Sequence, residues 1–381
     1  MGNSIHATSC TKMNEPMHPI RPQRLKKLLH RLIDIYSPSG KEEEILGFLH
    51  GYLKRSGLPL MLQSVDGNRH NLIVMPPEVN IQLILLGHVD TVAAYDLEHY
   101  GFEERGELVV GLGASDMKGG CAAMIEAYMA LWGSGHTRPP VALALVVGEE
   151  EEGDGTRRLV KDFHCPWALI GEPTDLQPCL SHYGYLEVEI ITTGKRVHAS
   201  LANRRLNPID SMLRLLLKLS QHIEDQRPEM VYNLRELSSS QAGFAVPERC
   251  NAWIDIHVPP KAPLGAITIE FEEILAREHR ENPDFSGILR FTTMHGGYVI
   301  PEKGPMVDTL KNVFAKHSLP WEPRSFPSHS DANLLWAAGT KPILLGCGQL
   351  EKAHAPDESV VFGQVLSAAR LYFDMLISLC G

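Results

Sequence analysis

The sequence "IQLILLGHVD", residues 81–90, places a short apolar run directly before a glycine, a histidine and an aspartate. An apolar run of this length with polar flanks is typical of a strand that is buried on both faces. Similar runs occur at "VALALVV" (141–147), "WALI" (167–170) and "KPILLG" (341–346), and helical patterns such as "CAAMIEAYMALW" (121–132) separate them. Strands that alternate with helices predict an α/β layer with a mixed, largely parallel sheet.

The pattern changes in the middle of the chain. "YGYLEVEIITTG" (183–194) alternates between apolar and polar residues, as a half-buried strand does, and an amphipathic helical segment follows it. We therefore expect an inserted α+β (ferredoxin-like) domain over residues 182–296. Residues 21–181 and 297–381 would then form one discontinuous domain, and residues 1–20 a disordered tail.

Composition excludes several classes of partner. The 381 residues carry a formal net charge of −10, which argues against nucleic acid or an anionic membrane as the main partner. No stretch approaches the roughly 20 apolar residues of a membrane span. The seven cysteines are scattered without a Cys-x-x-Cys pair. This usage indicates neither a disulfide framework nor a thiolate metal site, and we expect a cytoplasmic protein.

Histidines and carboxylates collect where the predicted strands end. Open α/β sheets bind their ligands beyond the carboxyl ends of the strands, so these side chains are expected to lie close together. The residues concerned, in chain order, are His88, Asp90, Asp116, the four glutamates at 149–152, Glu172 and His354.

These residue types suit a pair of divalent metal ions. Neutral imidazole and carboxylate are good zinc ligands, and one carboxylate can bridge two ions. Asp90, two residues after His88, can accept the other ring N–H of that histidine and fix its tautomer. A further carboxylate that binds no metal is needed to take a proton from water.

The motifs "GHVDTV", "GLGASDMKGG", "EEEEGDGT", "GEPTD", "HAS" and "AHAPDES" occur in this order. Together they resemble the di-zinc family of aminoacylases, acetylornithine deacetylase, succinyl-diaminopimelate desuccinylase and carboxypeptidase G. "SPSGKEEE" near the start is similar to the acetyl-lysine and acetyl-ornithine deacetylase branch. The resemblance implies a zinc-peptidase-like catalytic domain and a lid domain that also forms a homodimer. It covers residues 25–381.

The resemblance also implies roles for individual residues. His88 would bind one zinc ion, Asp116 would bridge both, Glu172 would bind the first ion and His354 the second. His198, in "GKRVHAS", would reach the active site of the neighbouring subunit and stabilise the oxyanion, a task that suits a hydrogen-bond donor. The lid strand "AWIDIHV" departs from the family pattern, since His257 stands where an arginine is common.

The four consecutive glutamates allow three assignments of a base and a ligand. Reading the family form Asp-Glu-Glu-x-Gly onto Gly153 makes Glu150 the general base and Glu151 a zinc ligand, and we adopt this assignment. Counting from Val141 along the strand moves the roles to Glu149 and Glu150. A third assignment uses Glu151 and Glu152.

The resulting hypothesis is a metal-dependent amidohydrolase with two Zn²⁺ ions, for which Co²⁺ can substitute. Its substrate would be a small N-acyl amino acid such as acetyl-ornithine or acetyl-lysine. Two alternatives stay open: a metallo-exopeptidase that acts on di- or tripeptides, and a non-catalytic amino-acid-binding relative. Catalytic roles would belong to Glu150, Asp90 and His198.

Overall fold

The computed structural model describes residues 18–136, 138–202 and 207–380. Most of the tail predicted at residues 1–20 therefore lies outside the described residues. The helices, in chain order, are α1 (Pro22–Asp34), α2 (Glu43–Arg55), α3 (Gly119–Gly133), α4 (Asp154–Asp162), α5 (Pro208–Gln226), α6 (Leu264–Glu281), α7 (Pro305–Lys316), α8 (Asp331–Ala337) and α9 (Phe362–Cys380).

Three sheets account for the strands of the described residues. The strands, in chain order, are β1 (Leu60–Asp66), β2 (Arg69–Val74), β3 (Leu83–His88), β4 (Glu103–Arg105), β5 (Leu108–Val110), β6 (Val141–Val146), β7 (Trp167–Ile170), β8 (Cys179–His182), β9 (Gly184–Thr193), β10 (Val231–Ser239), β11 (Arg249–Val258), β12 (Gly287–His295), β13 (Tyr298–Val299), β14 (Arg324–Phe326), β15 (Lys341–Leu344) and β16 (Ser359–Val361).

The large sheet runs in the order β1-β2-β6-β3-β7-β15-β8-β13, and β14 pairs with β8. Its central strands β6, β3, β7 and β15 are parallel to one another, whereas β1, β2 and β13 pair in antiparallel fashion at the edges. The α/β class with a mixed sheet is thus confirmed, but "largely parallel" holds only for the centre. Central strands are covered on both faces, so β3 and β6 are buried along their whole length.

The inserted segment forms a four-stranded sheet in the order β10-β11-β9-β12, with α5 and α6 packed on it. Its pairs are antiparallel, and the order of the β-α-β-β-α-β elements is that of a ferredoxin-like sheet. This confirms the predicted fold of the second unit.

Two separate hydrophobic cores underlie the two sheets. One lies within residues 20–180 and 298–376, and the other within 186–285. The boundaries that the sequence suggests, at residues 182 and 296, fall between these cores, and we retain them as a proposal. None of the helices in the described part of the chain combines the length and hydropathy that a bilayer span requires.

Candidate metal centre

The metal-ligand candidates meet at the carboxyl ends of the central parallel strands. Strand β3 ends at His88, and β7 is followed within two residues by Glu172. The turn Ala114–Lys118 holds Asp116, whose own backbone is extended (φ −120°, ψ 99°), and helix α3 begins directly after it. The loop after β15 carries His354. Neighbouring parallel strands deliver these side chains to one edge of the sheet, as expected for this fold.

Two groups of potential ligands share Asp116. In the first, ligand atoms of His88, Asp116 and Glu172 all lie within 4.8 Å of one another, and all three residues are buried. In the second, Asp116 joins Glu150 and His354 within the same limit. A carboxylate that belongs to both groups is placed as a bridging ligand between two ions.

The distances within the groups are short. Oδ1 of Asp116 lies 3.1 Å from Nε2 of His88, and Oδ2 lies 3.7 Å from Nε2 of His354. Nε2 of His354 also lies 2.9 Å from a carboxylate oxygen of Glu150. Each imidazole thus points its Nε2 atom at two or more carboxylate oxygens, which is the arrangement that a cation between them would use.

Unsatisfied oxygens and shifted pKa values favour cations here. One carboxylate oxygen of Glu172 and one of Glu150 are buried without a hydrogen-bond partner among the described residues. Burial raises the pKa values of Glu149, Glu150 and Glu172 above their ordinary range. Divalent ions would neutralise these crowded carboxylates, so the donor set fits two metals.

The glutamate run divides into a buried and an exposed half. Glu149 and Glu150 have side chains that are 10% and 7% exposed, whereas Glu151 and Glu152 are classed as exposed. Glu151, predicted above as a zinc ligand, lies in neither group of potential ligands, whereas Glu150 lies in the second. A carboxylate oxygen of Glu149 lies 3.8 Å from Nε2 of His88, outside both groups.

Two glycines produce this division. Gly148 and Gly153 both have positive φ, at 72° and 65°, and the N–H of Gly153 donates to the carbonyl of Gly148 at 2.7 Å. Because of the tight turn between them, the side chains of Glu149 and Glu150 lie over the edge of the sheet, and those of Glu151 and Glu152 lie in solvent. This placement favours the assignment counted from Val141 over the one counted from Gly153, and the roles of the individual glutamates stay a prediction.

Asp90 supports the centre differently from the prediction. Nδ1 of His88 donates to the backbone carbonyl of Asp90 at 3.1 Å, while the nearest oxygen of the Asp90 carboxylate is 3.6 Å away. The carboxylate instead accepts from the hydroxyl of Ser39 at 2.6 Å and from the N–H of Glu150 at 3.1 Å. It therefore anchors the turn that carries Glu150.

Glu358 holds the loop of the shared ligand. Its two carboxylate oxygens accept the backbone N–H groups of Gly113, Ser115 and Asp116, each at 2.9 Å. The sequence alone does not reveal this role of Glu358, nor the contacts of Ser39 and of the buried Lys118, whose Nζ donates to the carbonyl of Ile35. Their position next to recognised motifs was the only signal available, because their partners are distant in sequence.

His198 lies outside the two ligand groups. It is exposed on the inserted domain, where its Nδ1 lies 2.7 Å from the hydroxyl of Ser200. Its strand-like bridge to Ala245 fixes its backbone within that domain. Within one chain, this predicted residue is therefore not brought into the metal centre.

Two imidazoles and several carboxylates lie together at the strand ends of a mixed sheet. This is the type of site that metal-dependent hydrolases use. The chain matches the model of peptidase family M20/M25/M40 over residues 84–378. It belongs to this family and is a metal-dependent amide hydrolase.

Individual relatives agree with this assignment. A peptidase M20 domain-containing protein of Schizosaccharomyces pombe is 26% identical over 92% of this chain and 83% of its own length. The acetylornithine deacetylase of Photorhabdus laumondii is 28% identical over 84% of this chain and 86% of its own. Among solved structures, a Staphylococcus aureus tripeptidase covers 95% of this chain and 99% of its own, with a TM-score of 0.80 at 18% identity.

Proposed function

We propose that this chain is a two-metal deacylase that removes the acyl group from a small N-acyl amino acid, with acetyl-ornithine and acetyl-lysine as the leading substrates. The observation that carries the proposal is the pair of ligand groups that share Asp116, with the carboxylate of Glu149 beside them. Relatives named acetylornithine deacetylase at 24–28% identity support the substrate class.

The proposed metal ligands are His88, Asp116 and Glu172 for one ion, and Asp116, Glu150 and His354 for the other. Two Zn²⁺ ions bound there, or Co²⁺ in their place, would polarise the amide carbonyl and lower the pKa of the attacking water. Asp90 would keep the turn of Glu150 in place and its backbone carbonyl would orient the ring of His88.

Glu149 is proposed as the general base, in place of Glu150. It takes a proton from the attacking water and delivers it to the nitrogen of the leaving amine, so that one group serves both halves of the reaction. Its side chain is largely buried and burial raises its pKa, as suits a carboxylate that must both accept and release a proton.

His198 is proposed to act in a homodimer. Because it is exposed and lies outside the ligand groups of its own chain, we assign it to the active site of a second copy, where its ring would donate to the oxyanion. Strand β10 lies at an edge of its sheet, and exposed Leu217, Val231 and Leu234 lie on β10 and α5. An apolar face beside an unpaired edge is suited to pairing with itself across a two-fold axis.

Three substitutions test the assignment of the base. We expect Glu149→Gln to keep two metal ions per chain and to lower kcat by at least about 100-fold, because only proton transfer is lost. Glu150→Gln should lower the metal content, and Glu151→Gln should change neither quantity. Metal analysis and steady-state kinetics measure both. A Glu150→Gln protein that keeps both metals and loses turnover would instead support Glu150 as the base.

A metallo-exopeptidase that acts on di- or tripeptides is the second candidate, and the peptidase description of the family favours it. A panel of N-acetyl and N-succinyl amino acids, set against dipeptides and tripeptides, separates the two. Faster hydrolysis of every peptide than of every N-acyl amino acid would overturn the deacylase proposal. No hydrolysis of either class with two metals bound would point to the non-catalytic relative.

A further inference from the structure

A wide groove lies between helices α1, α2 and the C-terminal end of α3. It has a volume of about 1200 Å³, and the described residues that line it include five arginine or lysine side chains and no aspartate or glutamate. The five are Arg21, Arg24, Lys27, Arg31 and Arg55. This is unusual for a chain whose formal net charge is −10.

The groove is remote from the metal centre. Helix α3 starts three residues after Asp116 and runs for 15 residues to Gly133, which lines the groove. At a rise of 1.5 Å per residue, the helix separates the two places by about 20 Å. The groove therefore lies at the opposite end of α3 from the site described above and belongs to no part of it.

One cation of the groove, Arg24, is neutralised by a buried carboxylate of α3. Arg24 makes a two-point contact with the buried carboxylate of Glu126, at 2.6 and 2.9 Å. The backbone N–H of Arg21 donates to the same carboxylate at 2.7 Å, so both oxygens of Glu126 already have hydrogen-bond partners. Within residues 18–136, 138–202 and 207–380, no ion pair involves the side chain of Arg21, Lys27, Arg31 or Arg55. The groove thus carries four positive charges that no described carboxylate balances.

Three of these four charges lie on helices that line the groove, and Arg21 directly precedes α1. Lys27 and Arg31 are spaced four residues apart and share one side of α1 with the paired Arg24. On α2, Phe48, Tyr52 and Arg55 share a side in the same way. The guanidinium of Arg31 lies over the ring of Phe48, 5.5 Å from its centre, which holds this cation at the wall of the groove.

We propose that this groove binds a small polyanion, a molecule that carries two or more phosphate, sulfate or carboxylate groups. Guanidinium groups pair with such oxyanions through two parallel hydrogen bonds, and converging cations select for several charges on one ligand. The volume is close to the upper end of that of small-molecule sites. A large acidic partner or an anionic membrane would also meet the negative field of the rest of the chain, whereas a small ligand is screened from it within about 10 Å.

Calorimetric titration of the metal-loaded full-length chain with inositol hexasulfate tests the proposal. Because sulfate esters are weak zinc ligands, this probe is not expected to bind at the metal centre. We expect one molecule bound per chain, with an affinity that falls as NaCl rises from 50 to 200 mM. Phosphatidylserine vesicles serve as the macromolecular counterpart. Binding of the chain to the vesicles without binding of the hexasulfate, or no binding of either, would overturn the proposal.

A charge-reversed pair of variants locates the site. Lys27→Glu with Arg55→Glu replaces two of the four unbalanced positive charges by negative ones, and should weaken binding by at least about tenfold. Lys41→Glu with Lys161→Glu makes the same change in net charge at exposed positions outside the groove lining, and should leave binding unchanged. Equal weakening in both pairs, or none in the first, contradicts the proposal. Lys27→Gln with Arg55→Gln removes the same two positive charges without adding negative ones, and should weaken binding by a smaller factor. Thermal melting curves verify that every variant is folded.

Discussion

At the scale of single residues, adjacent glutamates acquire different environments. The turn between Gly148 and Gly153 buries Glu149 and Glu150 and exposes Glu151 and Glu152. A sequence motif identifies the run but not the direction of each side chain, because direction depends on the φ and ψ angles of the turn. This is why the strand-end position of the run could be predicted while its register, fixed by two glycines in left-handed conformation, could not.

Glu358 offers a residue-scale test of how the shared ligand is held. We predict that Glu358→Gln weakens metal binding about 10- to 100-fold, since the amide NH₂ group would face backbone N–H donors where an oxygen now accepts. Titration with a zinc chelator measures the affinity. Glu351→Gln, at an exposed neighbouring position, is the control. Unchanged metal affinity in the Glu358 variant would show that the loop keeps its shape without it.

At the scale of elements, helix α3 packs directly against the strand end that carries Glu172. A Cβ atom at Gly120 would lie 2.2 Å from the carbonyl oxygen of Gly171, so the two backbones are in direct contact. The helical pattern of this segment was evident in the sequence. The need for glycine was not, because the contacting backbone lies 51 residues away in the chain.

Two alanine substitutions in α3 separate packing from helix propensity. Gly120→Ala should lower the free energy of unfolding by about 1–3 kcal/mol, because the clash outweighs the roughly 1 kcal/mol that alanine contributes in a helix. Gly133→Ala meets no atom within 4 Å and should raise stability by up to about 1 kcal/mol. Urea unfolding followed by circular dichroism measures both. An unchanged free energy of unfolding in the Gly120→Ala variant would contradict this prediction and would mean that α3 can shift to accommodate the methyl group.

A half-buried histidine pair links the end of β12 to the loop before α8. Nδ1 of His295, at the end of β12, lies 2.7 Å from Nε2 of His329, and Arg157 lies 3.5 Å from the other nitrogen of His295. Because the Arg157 guanidinium can only donate, Nε2 of His295 accepts and Nδ1 of His295 donates to Nε2 of His329. Each ring then has one nitrogen that acts as an acceptor, which favours the neutral form of both. Burial lowers the pKa of His295 to about 4 and that of His329 well below its ordinary value.

Stability should therefore decrease on acidification. Unfolded histidines bind protons near pH 6.5, so between about pH 6.5 and 4 the unfolded chain binds more protons than the folded chain. The stabilisation is complete above pH 6.5 and is lost as the pH falls toward 4. We predict a Tm that drops over this range, with a smaller drop in His295→Gln. His164→Gln, at an exposed position, should match the unsubstituted protein, and an equal drop in all three proteins would contradict the prediction.

At the scale of the whole molecule, the proposed active site requires two copies of the chain. His198 is exposed on the inserted domain, and exposed leucine and valine side chains lie on α5 and on the unpaired edge strand β10. Exposed apolar side chains of this kind are common at protein interfaces. In the proposed mechanism, a single chain would supply the metal ligands and the base, while the oxyanion donor would come from its neighbour.

Mixing two inactive variants tests this division. Homodimers of Glu149→Gln lack the base, and homodimers of His198→Ala lack the donor. If His198 acts across the dimer, co-expression should restore activity, because one site of each heterodimer then has both groups intact. Purification through two different tags and steady-state kinetics measure the recovery. Activity no higher than the sum of the two homodimers would place His198 in its own subunit or outside catalysis.

The sequence by itself determined the α/β class, the ferredoxin-like insertion and the set of histidines and carboxylates that gather at the strand ends. These follow from hydrophobic periodicity and from the rule that parallel strands present their carboxyl ends at one edge, which are local properties of the chain. Only the tertiary structure decided that Glu150 lies close to Asp116 and His354, that the backbone carbonyl of Asp90 contacts His88, and that cations from α1 and α2 line one groove. Each depends on turn geometry or on contacts between segments distant in sequence, which no local pattern encodes.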